Sequence, residues 1–381
     1  MKYLVIRFSS LGDIILTAPV IESLAALPGT TIHYAVFGRF APIISYFPAP
    51  VIVHPFAGRT REELLTYAKE LSEEPFDIVF DLHANWRSRI LVNQLAAPVA
   101  YTYPKDFWRR WRMVWLKQGF TASRHVVDRY LITLREAQVP IVTEIPRLRS
   151  AKSVENLAAK RIAAGRAPSS ARRDGRNEKP NKKSSAFSVP AEAGTSEADQ
   201  PCLPSGVGER PLIGIGWGAR WPAKKVPPTL WKNLFAELAP LISPTYVLFA
   251  GQGETGEVAE FIAANERHPI ISYCGMDLDM VMGTLSRCSA FVTSDSGLMH
   301  AAAALDVPTW GLFGPTHPAL GFAPRGAAAR AVHARVFCSP CSRHGRLACY
   351  RRRRYCFEKI DISLIAREIA GRLAEVPAQD K

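Results

Sequence analysis

Short apolar runs rich in strand formers recur along this chain, each followed by turn residues and then by a stretch with helical apolar spacing. Tyr3–Phe8, Thr31–Phe37 and Phe76–Asp81 are such runs early in the chain, and Pro211–Gly216, Tyr246–Ala250, Ala290–Thr293 and Thr309–Phe313 are such runs later. Strands that alternate with helices pair in parallel, because a crossover helix returns the chain to start its neighbour in the same direction. The first strand, the turn Ser9–Asp13 and one helix over Ile14–Leu27 make the first unit of the pattern. Two Rossmann-like α/β halves are therefore expected.

The alternation breaks between them. Residues 164–208 are rich in Ser, Pro, Ala, Arg, Lys and Glu and poor in apolar residues. Such a composition cannot bury enough surface to offset its ordering entropy. We read 1–163 as an N-terminal domain, 164–208 as a disordered low-complexity linker or insertion, and 209–381 as a C-terminal domain with a Cys/Arg-rich tail. A length of 381 residues suits two domains. Ligands in open parallel sheets bind beyond the carboxyl ends of the strands, so the expected site is a cleft facing both halves.

Composition excludes several classes. At 48% hydrophobic and 22% charged residues the chain is globular. No run approaches the roughly 20 apolar residues of a membrane span. The start, apolar for a few residues before Arg7 and Asp13, does not read as a signal peptide, so a cytoplasmic location is expected. Seven cysteines, an odd number in a large chain, argue against a secreted disulfide framework. The net charge is +14, and it is uneven: residues 333–359 carry eight Lys/Arg against one Glu. Such a tail suits an anionic substrate, an anionic membrane surface or nucleic acid, or is simply a solvated surface. No nucleic-acid recognition module is present, so nucleic acid is not an expected partner.

Individual motifs carry two readings each. Asp13 follows the first strand, where it serves either as a helix cap or as a general base facing the cleft. Neither this turn nor Gly214–Arg220 fits GxGxxG, which argues against a nicotinamide enzyme. Ser294–Leu305 follows a strand and opens a helix, so the N–H groups of Ser296, Gly297 and Leu298 are available to a diphosphate. Gly297 removes a side chain that would block approach, Asp295 is placed to accept from sugar hydroxyls, and His300 either faces the ligand or is a core residue. Arg220 with Lys224 or Lys225 either neutralises a diphosphate or forms an ordinary basic loop. Glu254, after Gly251-Gln-Gly253, is placed to hold a ribose hydroxyl. From Tyr101 to Lys117, Phe107, Trp108, Trp111 and Trp115 interleave with Lys105, Arg109, Arg110, Arg112 and Lys117, which suits anionic lipid, acceptor phosphates or a half-buried amphipathic helix. Cys338, Cys341, Cys349 and Cys356 open with a CxxC, but no second close pair follows; reduced thiols are the default and a zinc site the alternative.

Taken in order, Ile6–Ile14, Lys224–Trp231, Ser294–His300 with its Ala-rich helix, Gly311–Thr316 and the Cys338–Cys341 tail resemble glycosyltransferase family 9, the ADP-heptose:lipopolysaccharide heptosyltransferases. The resemblance spans nearly the whole chain outside the insertion. It implies a GT-B fold, two Rossmann-like domains facing a central cleft. It also implies an inverting, metal-independent transfer of heptose from ADP-heptose to the lipopolysaccharide inner core, at the inner face of the inner membrane. Asp13 matches the general base and Lys224 the phosphate-binding lysine, with Lys225 beside it. Asp295, Ser296, Gly297, Leu298 and His300 match the donor motif. The acceptor falls to the N-terminal half, with Ser10, Gly12, Arg109, Arg110 and Arg112 as candidates. Ser296 stands where the family often has Thr, and Val226 where it often has Trp. A GT-B enzyme using another nucleotide sugar for core or O-antigen assembly is the alternative. No cofactor or metal is expected: the Ser294–His300 donor motif has no Asp-x-Asp.

Overall fold

The computed structural model describes residues 1–95, 97–120, 124–150, 152–163, 210–351 and 353–375. The expected segment 164–208 lies outside them. Two parallel sheets organise the chain. The first has the order β3-β2-β1-β4-β5, from β1 (Lys2–Ile6), β2 (Thr31–Phe37), β3 (Ile52–Phe56), β4 (Ile78–Asp81) and β5 (Val99–Thr102). The second has the order β11-β10-β9-β6-β7-β8, from β6 (Leu212–Gly216), β7 (Thr245–Ala250), β8 (Ile270–Cys274), β9 (Ala290–Ser294), β10 (Thr309–Phe313) and β11 (Ala329–His333).

The central strands are the ones read from sequence. Leu4, Val5 and Ile6 in β1, and Phe291 and Val292 in β9, are fully buried, because helices cover both faces of a parallel sheet. β3, β5, β8 and β11 were not anticipated. All four lie at or beside a sheet edge and are largely exposed or half-buried. Such strands need no continuous apolar run, and β3 even holds Pro55, whose missing donor an edge tolerates.

The helix expected over Ile14–Leu27 is two helices, Leu11–Ile15 and Ala18–Ala25. Thr17 caps the second and Pro19 lies in its first turn. Proline has no N–H to continue the ladder, and its ring crowds the carbonyl four residues back, so the chain restarts there.

Both sheets have a switch point where the strand order reverses. In the first the chain runs β1-β2-β3 to one side and then β4-β5 to the other; in the second, β6-β7-β8 and then β9-β10-β11. The crevice at such a point is open because neighbouring loops diverge from it. The loops after β1 and β4 face those after β6 and β9 across one cleft, lined by Asp13, Asn85, Lys224 and Asp295 among others.

The helix Lys152–Ala163 packs on Leu278–Leu285 of the second half. A Cβ on Gly283 would stand 2.7 Å from both Val154 Cγ1 and Val154 O. Backbone cannot give way as a flexible side chain can, so Gly283→Val is expected to destabilise the protein by about 1–3 kcal/mol. Gly371→Ala, with open space around it in the helix Ile362–Glu375, is expected to stabilise by up to ~1 kcal/mol. Urea unfolding of the two variants side by side measures both signs.

Candidate active site

The N-terminal wall is built on the end of β1. Arg7 leaves the strand buried and donates from Nη1 to Leu82 O at 2.6 Å, tying the loop after β4 to β1. Its Nη2 pairs with Asp13 Oδ1 at 2.8 Å. Asp13 Oδ2 accepts from the Ser10 hydroxyl at 2.7 Å and the Ser10 N–H at 3.2 Å. The cap reading of Asp13 is therefore realised, and its carboxylate still lines the cleft. Burial alone would raise this carboxyl. The Arg7 charge, then the Ser10 hydrogen bonds, outweigh it and hold Asp13 at about 2.

Asp81 shapes the neighbouring loop. Its Oδ1 accepts from the N–H groups of His83 and Ala84 at 2.9 and 2.8 Å, and its Oδ2 from the Ser88 hydroxyl at 2.9 Å. This turn presents His83 and Asn85 to the cleft. Neither stood out in the sequence, since a lone His and Asn beside a strand carry no spacing signal.

The C-terminal wall centres on the helix Gly297–Ala304. Its cap residue, Ser296, makes no capping hydrogen bond; its hydroxyl lies 3.2 Å from Thr293 Oγ1 instead. The first N–H groups of the helix are left for an anion at its positive end. Beside them Lys224 Nζ reaches Asp295 Oδ2 at 2.6 Å, and the same oxygen accepts from the Thr316 hydroxyl at 2.8 Å. Of the two adjacent lysines, Lys224 faces the cleft. Lys225 turns to Glu254 and Glu257, at 2.9 and 2.5 Å.

The two walls touch. A Cβ on Gly12 would meet His300 Cδ2 at 2.7 Å, and one on Gly297 would meet Leu11 Cβ at 3.1 Å and Gly12 N at 3.2 Å. The missing side chain at Gly297 thus makes room for the facing half. His300 is 5% exposed, and its Nδ1 has no hydrogen-bond partner among the described residues. Burial lowers its imidazole to about 4, so it is neutral at pH 7.

Of the remaining candidates, Ser10, Gly12, Arg110, Arg220, Glu254, Ser296, Gly297 and Leu298 line the cleft. Glu254 does so with its carboxylate engaged, by Gly251 N–H at 2.9 Å and by Lys225. Arg109 and Arg112 are not part of the lining; Arg112 is exposed and bonds Gln118 at 3.4 Å. The cleft also takes in Lys105, Arg343, His344 and Arg346, of which the last three come from the basic tail seen in the charge distribution. Cys338, Cys341, Cys349 and Cys356 are free thiols, and among the described residues no group of three or more His, Cys, Asp or Glu is placed to hold a metal ion.

The cleft, about 1090 Å³, sets an ionised carboxylate against a lysine and an uncapped helix start. Such a pairing is chemically able to take a proton on one side and to receive a leaving anion on the other. Because Asp13 titrates below the unfolded value of about 3.9, its pairing stabilises the fold fully above about pH 4 and is lost as pH falls toward 2. Arg7→Met is expected to move the Asp13 midpoint well above 2, read by carboxyl carbon NMR. An unchanged midpoint would mean that the Ser10 bonds alone hold it.

The chain is similar to known proteins in sequence and in fold. Lipopolysaccharide heptosyltransferase 1 of Pseudomonas aeruginosa is 25% identical over 332 residues, 84% of this chain and 80% of that protein. Lipopolysaccharide heptosyltransferase 2 of Salmonella typhimurium is 39% identical over 119 residues, 29% of this chain and 33% of that protein. Among solved structures, Escherichia coli ADP-heptose lps heptosyltransferase II superposes with a TM-score of 0.67 at 21% identity, covering 98% of this chain and 99% of its own. An Escherichia coli heptosyltransferase solved with ADP gives 0.62 at 18%, covering 98% and 100%. At these identities the structures share the GT-B fold. The sequence profile of glycosyltransferase family 9 (heptosyltransferase) matches residues 64–350, three quarters of the chain and all of the donor-side motifs, and the chain therefore belongs to glycosyltransferase family 9.

Proposed function

We propose that the protein transfers heptose from ADP-heptose to the inner core of lipopolysaccharide. Residues 1–163 take the acceptor and 209–381 the nucleotide sugar. The observation that carries this reading is the meeting of the two walls, which puts the Asp13 loop directly against the uncapped start of the Gly297 helix.

Asp13 is the general base. A carboxylate titrating near 2 is a weak base toward a sugar hydroxyl, so proton transfer is late. The hydroxyl becomes acidic only as its bond to the anomeric carbon forms. Arg7 keeps Asp13 ionised and aimed while the acceptor arrives. The bond to the ADP oxygen breaks as the new bond forms on the opposite face, which inverts the anomeric carbon. The negative charge on the leaving diphosphate is met by Lys224 and the N–H groups of Ser296, Gly297 and Leu298, so no metal bridge is required. Asp295, held between Lys224 and Thr316, orients the lysine and has lone pairs left for a sugar hydroxyl. Glu254 is placed for the ribose.

The helix Phe107–Trp115 suits an anionic membrane face, where a lipid-linked acceptor would lie. Trp108 and Trp115 are 73% and 64% exposed, with Arg109 and Arg112 between them. No helix among the described residues is long and apolar enough to cross a membrane, so this contact is peripheral.

Asp13→Ala is expected to lower turnover by roughly 10²–10⁴-fold while ADP binding stays within about twofold, measured as ADP release from ADP-heptose with a heptose-deficient lipopolysaccharide acceptor. Lys224→Ala is expected to cost roughly 10²–10³-fold and to weaken ADP as well. A wild-type protein that binds no ADP-heptose would sink the donor assignment. Trp108→Ala with Trp115→Ala is expected to reduce co-sedimentation with anionic vesicles; equal binding of wild type to neutral and anionic vesicles would remove the membrane contact.

A further inference from the structure

The cleft holds more positive charge than its carboxylates neutralise. Asp13, Asp295 and Glu254 are taken by Arg7, Lys224 and Lys225. Lys105, Arg110, Arg343 and Arg346 also line it, and none of these four has an ion-pair partner among the described residues. Arg110 Nε is buried without a hydrogen bond. Behind it Arg129 is fully buried, none of its three side-chain nitrogens makes a hydrogen bond, and Asp106 lies 4.0 Å away.

Aromatic faces hold the tail arginines in place. The Arg343 guanidinium lies 4.7 Å from the centre of Phe107, and that of Arg346 lies 4.9 Å from the centre of Trp221. Phe107 and Arg110 are three residues apart on one helix and share a face, so Arg343 is brought beside Arg110. The loop that carries these arginines is braced at both ends. Lys117 Nζ donates to Cys338 O at 3.3 Å and also to Pro340 O, and Ser342 Oγ accepts from Gly345 N at 2.8 Å. Gly345 sits at φ +74° against the Lys224 side chain, a conformation that suits glycine and sends Arg343 and Arg346 to either side of the turn. His344 reports the convergence. Partial desolvation in the cleft, then the charges of Lys224, Arg110, Arg346 and Arg343, lower its imidazole to about 4.

Like charges gathered without carboxylates repel, and an exposed cation–π contact is too weak to offset that repulsion. An anion relieves that repulsion, and guanidinium groups offer it paired donors. On the proposed reading the donor diphosphate is met by Lys224 and the Gly297 helix, on the opposite wall from Lys105 and Arg110. We propose that the tail loop 338–346 completes a second anion site, in which Arg343 and Arg346 join Lys105 and Arg110 to bind a phosphate or carboxylate of the acceptor close to its attacking hydroxyl. The proposal rests on the N-terminal half being the acceptor side. It makes the tail a specificity element that bridges the two halves.

Two measurements test it. In calorimetry, protein saturated with ADP is titrated with inorganic phosphate. Wild type is expected to take up one equivalent, and Arg343→Ala with Arg346→Ala to bind at least tenfold more weakly. No uptake by wild type, or equal uptake by both, overturns the site. In turnover, the same double variant is expected to raise the acceptor KM at least tenfold with ADP affinity within about twofold, which also reports that it is folded. A parallel loss of ADP affinity would give the arginines to the donor and overturn the proposal. The source of the anion is read from acceptor that is dephosphorylated or carboxyl-methylated: whichever treatment raises the wild-type KM without further effect on the variant removes the group that is bound, and no effect of either treatment overturns the acceptor assignment. If wild type takes up phosphate but turns over no ADP-heptose, the anion site stands and the heptosyl reading falls.

Discussion

The contact of Gly12 with Gly297 and His300 is what the rest of the site depends on. Two sheets that fold as separate layers have no reason to place their switch points opposite each other unless something joins the loops there. Here two residues without side chains let backbone approach backbone. The space a Cβ would need at Gly12 is filled by the His300 ring, and at Gly297 by Leu11 and the Gly12 N–H. The approach holds the Asp13 loop beside the start of the Gly297 helix. Further ties act in parallel, from Tyr46 to Asp279 at 2.6 Å and from Leu148 N–H to Ala304 O at 2.7 Å. These hold the first half to the helices that flank the donor loop.

Charge is arranged on the same plan. Each carboxylate in the cleft is held by a cation, so it is aimed without carrying excess negative charge toward an anionic ligand. Asp13 is the extreme case, because Arg7 reverses what burial alone would do to it. The surplus arginines Arg110, Arg343 and Arg346 make no ion pair among the described residues and are laid on the rings of Phe322, Phe107 and Trp221. Rings position a guanidinium without neutralising it, so the field in the cleft remains positive.

How legible this was from sequence depended on burial. Central strands such as Leu4–Ile6 are covered on both faces and read as continuous apolar runs. The edge strands β3, β5, β8 and β11 are covered less, so their residues obey no such rule. The break at Thr17 was missed although Pro19 marks it, because the apolar period continues through it. Asp13, Lys224, Asp295 and Gly297 were readable because each sits a fixed step after a strand. His83 and Asn85 were not, because their loop takes its shape from long-range bonds such as Arg7 to Leu82 O.

The sequence by itself determined the fold class, the two-sheet organisation and loops that line the cleft, because strand and helix periods and turn residues are local properties. Tertiary structure decided which of two adjacent lysines faces the cleft, since Glu254 and Glu257 draw Lys225 away. It also decided that Arg110 belongs to the cleft lining while Arg109 and Arg112 do not, and that a tail more than 200 residues distant brings Arg343 onto Phe107. Those outcomes depend on which surfaces meet when two halves dock, and no spacing within one segment encodes that.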